Sequence, residues 1–426
     1  MDLKQFIAYL STSKISMKPL DYYLPQEKIA IRPLENRSDS KLLVYKDGQI
    51  SDNNFKDLPS LLPNNSHVFL NNTKVLKARI LLQKPTGAKI ELFLLEPYLA
   101  SGYPYGALDD TDQILWKAFI GGASKFKTNQ PLSQVIEIDG RSFPIFFEKV
   151  KALEEGFLVS IYWENPNPEQ YTFSEILPLI GYTPIPPYLN RKSEDIDTNR
   201  YQTIYAKNEG SVAAPTSSLH YDEAIFKKFK ALNIHQHELT LHVGAGTFKP
   251  ITSEDIAAHH MHQEWMQIQT HTIQSLISIL KKEEPVIASG TTSARFLESL
   301  YWLGVYIHEN KRQPEIIDQV FIKKHWNHSL TALESLEIIN AYWEANDIQE
   351  LSIPTTIFIY PPYAYRMITA LITNFHQPQS TLLLLVAAFV GKNWEEIYNY
   401  ALSNNFRFLS YGDASLLFGS KKSSQI

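Results

Sequence analysis

The chain has 426 residues, 44% hydrophobic and 20% charged, with 40 Lys and Arg against 45 Asp and Glu and no cysteine. This is the composition of a globular protein of two or three domains at about 150 residues each; the missing cysteine excludes disulfides, thiolate metal sites and thiol nucleophiles. A net charge of −5 argues against a sequence-blind nucleic-acid coat, which is basic overall, but leaves room for an enzyme with a local positive patch.

The opening MDLKQFIAYLSTSK has an apolar stretch shorter than the roughly 7–15 residues of a signal-peptide core. The longest apolar run, LLLLVAAFV from Leu382, falls short of the roughly 18 residues of a membrane span. A soluble, cytoplasmic protein is expected. KLLVY and HVFL are strand candidates in the first 73 residues, with no core of their own. From Lys74 to Trp163 the segments KARILL, AKIELFLLEP, ILWKAFIG, SQVIEIDG, SFPIFFEKV and GFLVSIYW read as strands separated by turn signals such as KPTG and IDGRS. They predict a small antiparallel β domain, a barrel, over 74–163. ENPNPEQ reads as a linker. Helices are expected in DEAIFKKFKAL, with Ile225, Phe226, Phe229 and Leu232 on one face, in TIQSLISILKK, and in YRMITALI. Strands are expected in ELTLHV, EEPVIAS and TIFIYP, and added helices between Tyr306 and Ser352. The fold class is therefore α/β: a discontinuous domain of 1–73 and 164–426 interrupted by the β module.

Four junctions carry polar residues. NEGSVAAPTSSLH, 208–220, is too small to fill a core but lets backbone approach a ligand or another element closely, and Asp222 and Glu223 should open the following helix. HVGAGTFKP ends a strand, but it lacks a third glycine and Pro250 blocks a helix, so the dinucleotide fingerprint fails. His242 there is a candidate acid or base, or a structural histidine. In ASGTTSARF, Thr291, Thr292 and Ser293 either cap a helix or hold a polar ligand, and Arg295 does the same or pairs with a carboxylate. In ITNFHQPQST, Asn374 and His376 precede a buried helix capped by Ser380 or Thr381. His260, His262 and Glu264 share one face if extended, but nothing around them resembles a metal signature, and proton transfer or substrate contact suits His262 and Glu264 better. Four such junctions converging would make one pocket.

YQTIYAKNEGSVAAPTSSLH, LTLHVGAGTFKPI, HHMHQEW, VIASGTTSARFLES, IFIYPPYAYRMITALITNFHQPQSTLLLLVAAFVG and FRFLSYGDASLL, with DYYLPQEKIAIRPLENRSDSKLLV and FLNNTKVLKARI near the start, resemble the S-adenosylmethionine:tRNA ribosyltransferase-isomerases of queuosine biosynthesis. The resemblance implies an α/β domain of unusual topology interrupted by a small β-barrel. It also implies transfer and isomerisation of the ribosyl part of S-adenosylmethionine onto 7-aminomethyl-7-deazaguanine at the tRNA wobble position, giving epoxyqueuosine-tRNA, adenine and methionine. A base would take the proton beside the sulfonium, and the resulting carbanion would attack the acceptor as adenine and methionine depart. No metal and no cofactor beyond S-adenosylmethionine are implied, and a monomer acting on tRNA is expected.

On this reading proton transfer falls to His220, His242, His262 and Glu264. Lys207, Asn208, Thr291, Thr292, Arg295, Asn374 and His376 surround the donor or the modified base, and Arg32, Arg37, Arg79 and Tyr188 contact RNA. The chain departs from the family pattern at Lys41, Asn72, Lys74 and Lys77, and at Ser217-Ser218 where Ala-Gly is usual. Two other readings stay open: a divergent tRNA-binding paralogue without the chemistry, and a transferase acting on a free base.

Overall fold

The computed structural model describes residues 20–99, 102–166, 170–244, 246, 256 and 259–419. The opening segment, part of ENPNPEQ and, within HVGAGTFKP, residues 245 and 247–250 lie outside them. The chain begins with β1 (Lys41–Lys46), β2 (Gln49–Asn54), α1 (Leu58–Leu61), β3 (His67–Asn71) and β4 (Thr73–Val75). The strands β5 (Arg79–Gln83), β6 (Lys89–Pro97), β7 (Gln113–Gly121), β8 (Leu132–Ile138), β9 (Arg141–Ala152) and β10 (Phe157–Trp163) come next. After them run α2 (Phe173–Ile180), β11 (Gly181–Tyr182), α3 (Asp195–Arg200), β12 (Asn208–Ser211), α4 (Glu223–Ala231), β13 (His235–His242), β14 (Glu264–Gln269), α5 (Thr270–Lys281) and β15 (Val286–Ser289). The last part holds α6 (Thr291–Asn310), α7 (Gln319–Lys324), α8 (Ala332–Ala345), β16 (Glu350–Thr355), β17 (Ala370–Asn374), α9 (Thr381–Val390), α10 (Asn393–Ser403) and β18 (Ala414–Phe418).

The fold is mixed α/β. A nine-stranded sheet has the order β16-β14-β13-β3-β15-β17-β18-β1-β2. KLLVY and HVFL thus join the later strands: β1 pairs in parallel with β18, and β3 lies in parallel between β13 and β15. Every residue of β3 is buried, because both faces of the sheet are covered. Phe69, Ala288 and Leu371 face one apolar cluster, while Val68, Leu70, Ile287 and Ile372 face the other, as the period-two alternation of strand side chains requires. Helix α6 lies against β3, β13, β15 and β17 on one side and α8 on the other.

The second sheet is antiparallel, with order β11-β5-β6-β7-β10-β9-β8, and curls so that β5 approaches β8. Its first six members in sequence, β5 to β10, fall inside the expected 74–163. Its apolar cluster runs further, taking in Tyr171, Phe173, Ile176, Leu177 and Ile180. The polar ENPNPEQ therefore follows the end of a strand, and α2 closes the module beyond it.

Two local expectations are corrected. The segment read as a helix, YRMITALI, instead leads into β17, which sits between β15 and β18. Glu298 of α6, fully buried, draws the chain out of helical form: its carboxylate accepts from the Arg366 and Met367 amides at 3.0 and 2.9 Å and from the Tyr363 hydroxyl at 2.7 Å. TIFIYP is not a strand either. The strand lies just upstream as β16, paired with β14, and Ile357 and Ile359 fold inward to the core. Tertiary packing overrides local propensity at both places.

The added helical segment is anchored at Gly304, where a Cβ would lie 2.1 Å from Ser335 Oγ and 2.2 Å from Ser335 O on α8. We expect Gly304→Ala to destabilise the protein by roughly 1–3 kcal/mol through overpacking. Urea unfolding checks this; an unchanged midpoint would show that α8 does not rest on α6 there.

Candidate functional site

Strands β13, β3, β15 and β17 are parallel neighbours, so their C-terminal ends, His242, Asn71, Ser289 and Asn374, finish on one edge. Strand β18 runs antiparallel to β17 and starts there, with Ala414 beside Asn374. Open α/β sheets bind ligands at this edge. A pocket here is walled by Ala213 to Ser217, Val243, Gly290 to Thr292, Thr373, Asn374, His376, Ser380, Leu409 and Ser410. All four polar junctions contribute. The small residues of the 208–220 stretch form one wall, which answers to their size: larger side chains would fill the space.

Among the described residues, the buried polar atoms of this wall without a hydrogen-bond partner include Ser217 Oγ, Thr292 Oγ1 and Asn374 Oδ1. Their residues are 2%, 8% and 2% exposed. Leaving a buried polar group unpaired costs about 1–3 kcal/mol, so such atoms at a pocket wall point to a bound polar molecule. Asn374 is held by its amide nitrogen, which donates to His220 Nε2 at 3.2 Å and to Asp413 O at 3.3 Å. His220 Nε2 therefore accepts, leaving Nδ1–H to donate to Ser40 Oγ at 2.9 Å. His220 thus stands behind Asn374 and fixes its orientation. His376 lines the pocket with Nε2 2.8 Å from Thr373 Oγ1. Its carbonyl accepts from the Tyr22 hydroxyl, and its amide donates to Tyr398 at 3.1 Å. Tyr188 also lines the pocket, hydrogen-bonded to Ser410.

His242 sits at the seam between the sheet and the β module. Tyr103, from the β6–β7 connection, is hydrogen-bonded to its Nε2, Thr73 Oγ1 lies 3.3 Å from Nδ1, and the Tyr105 ring stacks on it at 4.2 Å. Gly210, at φ +144°, makes room: a Cβ there would lie 2.4 Å from His242 Nδ1. The next residue, Val243, lines the first pocket; Gly244 lines a second, larger cleft with Tyr105, Glu96, Lys117, Glu154, Glu155 and His262.

His262 and Glu264 do not share a strand face. Strand β14 starts at Glu264, and His262 lies before it, its ring packed where a Cβ on Gly246 would fall. Glu264 is buried in an ion pair with Arg295, so Arg295 reaches a carboxylate rather than the pocket. Lys207 pairs with Glu238 at 2.7 Å, and Asn208 donates to Thr240 Oγ1 at 2.8 Å. Arg32 is ion-paired with Glu194, Arg37 donates to the carbonyls of Asn199, Gln202 and Leu219, and Arg79 pairs with Glu91. Thr291, Thr292, Asn374, His376 and Tyr188 are thus brought together; His220 stands behind them, and His242 and His262 lie toward the second cleft. Tyr103 and Tyr105 carried no sequence signal beyond an interstrand loop. Among the described residues no group of His, Asp and Glu has metal-binding geometry, and no helix is long and apolar enough to cross a membrane.

Burial pushes His220, His242 and His376 down to about 3. All three stay neutral in the folded protein while the unfolded chain protonates near pH 6.5. Between these values the unfolded state binds more protons, so stability falls as pH drops, by up to about 1.4 kcal/mol per pH unit for each imidazole. Denaturant midpoints should decline from about pH 7 to about pH 5; a flat profile would contradict the burial.

The family model described as "Queuosine biosynthesis protein" matches residues 17–417. The chain is 35% identical over 409 residues to the S-adenosylmethionine:tRNA ribosyltransferase-isomerase of Halothermothrix orenii, covering 95% of this chain and 100% of that one. It is 33% identical to the enzyme of the same name from Magnetococcus marinus, covering 93% of each. The crystal structure of S-adenosylmethionine tRNA ribosyltransferase from Thermotoga maritima is similar with a TM-score of 0.44 and 25% identity, over 94% of this chain and all of the other. With a match running through both sheets and every pocket junction, the chain belongs to the queuosine biosynthesis protein family.

Proposed function

We propose that this chain is an S-adenosylmethionine:tRNA ribosyltransferase-isomerase. It moves the ribosyl part of S-adenosylmethionine onto 7-aminomethyl-7-deazaguanine at the tRNA wobble position and releases adenine and methionine. The observation that carries this reading is the strand-end pocket, where four distant junctions meet around buried polar atoms that lack a partner, Ser217 Oγ, Thr292 Oγ1 and Asn374 Oδ1 among them. The donor occupies this pocket, and Asn374 Oδ1, an acceptor, receives an N–H from it. His376, neutral, offers an imidazole to the same space.

The acceptor base enters from the second cleft. Glu96, Glu154 and Glu155 outnumber Lys117 there, a balance that suits a cationic aminomethyl group. The base must leave its stack to reach the cleft. His242 precedes Val243 of the first pocket and stacks on Tyr105 of the second cleft, and we assign it to proton transfer, oriented by Tyr103 and Thr73. The sulfonium acidifies the neighbouring ribose carbon, and a positioned base contributes typically about 10²–10⁴-fold. His262 lines the cleft, Glu264 is held by Arg295, and His220 acts through Asn374. The seam also keeps water from the reactive intermediate.

Mixing the protein with S-adenosylmethionine and tRNA bearing the modified guanine should release adenine. Release with the free base alone and none with tRNA would overturn the assignment. His242→Ala should lower adenine release by about 10²–10⁴-fold with donor binding little changed; an unaltered turnover number removes His242 from the chemistry. Asn374→Ala should weaken donor binding about tenfold, the worth of one hydrogen bond to a buried polar group, measured by calorimetry.

A further inference from the structure

The N-terminus of α6 is left open toward the pocket. Its N-cap is Gly290, at φ +97°, which has no side chain to satisfy the first amides. The first turn of any helix has amides without intrahelical partners and carries the positive end of the helix dipole. Helix α9, whose Ser380 also reaches the pocket, differs: Ser380 Oγ accepts from Leu383 N at 3.2 Å and closes that end.

Two buried hydroxyls border the same opening. A Cβ built on Gly290 would lie 2.9 Å from Ser217 Oγ and 3.5 Å from Thr292 Oγ1. Both oxygens are buried without a partner. Their neighbours are not in this position: Ser218 Oγ lies 3.2 Å from Ser289 Oγ, and Ser293 Oγ donates to Ser289 O at 2.8 Å. Ser217 and Thr292 thus bring to this helix start two buried hydroxyls that have no partner among the described residues. They act as donors there, since the amides beside them are donors too and an anion accepts from all of them.

We infer that this cradle seats the α-carboxylate of the donor's methionyl end, with Ser217 and Thr292 as the residues that select an amino-acid-bearing sulfonium. The inference rests on the proposed use of S-adenosylmethionine as donor. A carboxylate fits better than a phosphate because no Lys or Arg lines the pocket among the described residues. A singly charged group is matched by hydroxyls and a helix start, whereas a phosphate ester of the RNA backbone would call for a cation.

The test compares binding of S-adenosylmethionine with binding of its decarboxylated analogue, which keeps the sulfonium and the nucleoside. The wild-type protein should prefer the carboxylated form by about 10-fold or more, as hydrogen bonds to a charged group imply. Ser217→Ala and Thr292→Val should each shrink that preference, with the analogue's affinity unchanged. Equal binding of both by the wild type overturns the inference, as does an equal loss for both ligands in the variants. Loss of tRNA affinity with donor binding intact would mean that a phosphate sits there instead, and also overturns it. Thermal melts of both variants confirm folding. Failure of the wild type to bind either sulfonium would count against the proposed function itself, and adenine release separates that case from failure of the carboxylate seat.

Discussion

Everything at the strand-end edge depends on one buried amide, the side chain of Asn71. Strand β3 ends there, and the chain must leave the large sheet for the β module without exposing the backbone of β13. Asn71 Nδ2 donates to Leu241 O at 2.9 Å, while its Oδ1 accepts from Leu241 N at 3.1 Å and Thr73 N at 3.3 Å. The side chain thus replaces the partner strand that β13 loses at this point. The next residues extend the arrangement. Asn72 O accepts from the Lys207 amide at 2.7 Å, and Thr73 Oγ1 meets Ser211 Oγ at 2.6 Å. These bonds bring β12 beside β4 and deliver the 208–220 stretch to the pocket.

The departures from the family pattern gain local explanations from this frame. Asn72 donates to Glu238 Oε2 at 3.1 Å and accepts from Thr240 Oγ1 at 2.8 Å; a carboxylate in its place would face the Glu238 carboxylate. Lys74 pairs with Glu209 at 2.7 Å. Lys41 donates to Asn404 O at 2.8 Å and lies over the Phe406 ring, and Lys77 donates to Pro178 O at 3.0 Å. None of these four lines the strand-end pocket. Ser217 alone among the departures does, and it contributes a hydroxyl to the cradle.

Much of the fold was legible because burial leaves a period in the residues. The six strands of the β module alternate or run apolar, and α4 shows its stripe at Ile225 and Phe229 with Asp222 capping it. YRMITALI misled because its apolar spacing suits a helix, whereas its backbone is claimed by Glu298 and by two neighbouring strands, contacts from far along the chain. The same limit applied to the site. Small residues and hydroxyls at strand ends marked the pocket wall. Which histidine faces it and which stands behind it depends on strand order, and that is set by long-range pairing. His220 and His376 read alike in sequence, yet of the two His376 lines the strand-end pocket.

The contact between Tyr103 and His242 ties two separately built bodies together. The imidazole belongs to the large sheet and the phenol to the curled one, whose only covalent links to it are the chain passages before β5 and after β11. A tilt of the module by the width of one hydrogen bond would strip the ring of its phenol. The posture of the smaller body thereby decides what a single side chain in the larger one can bond to.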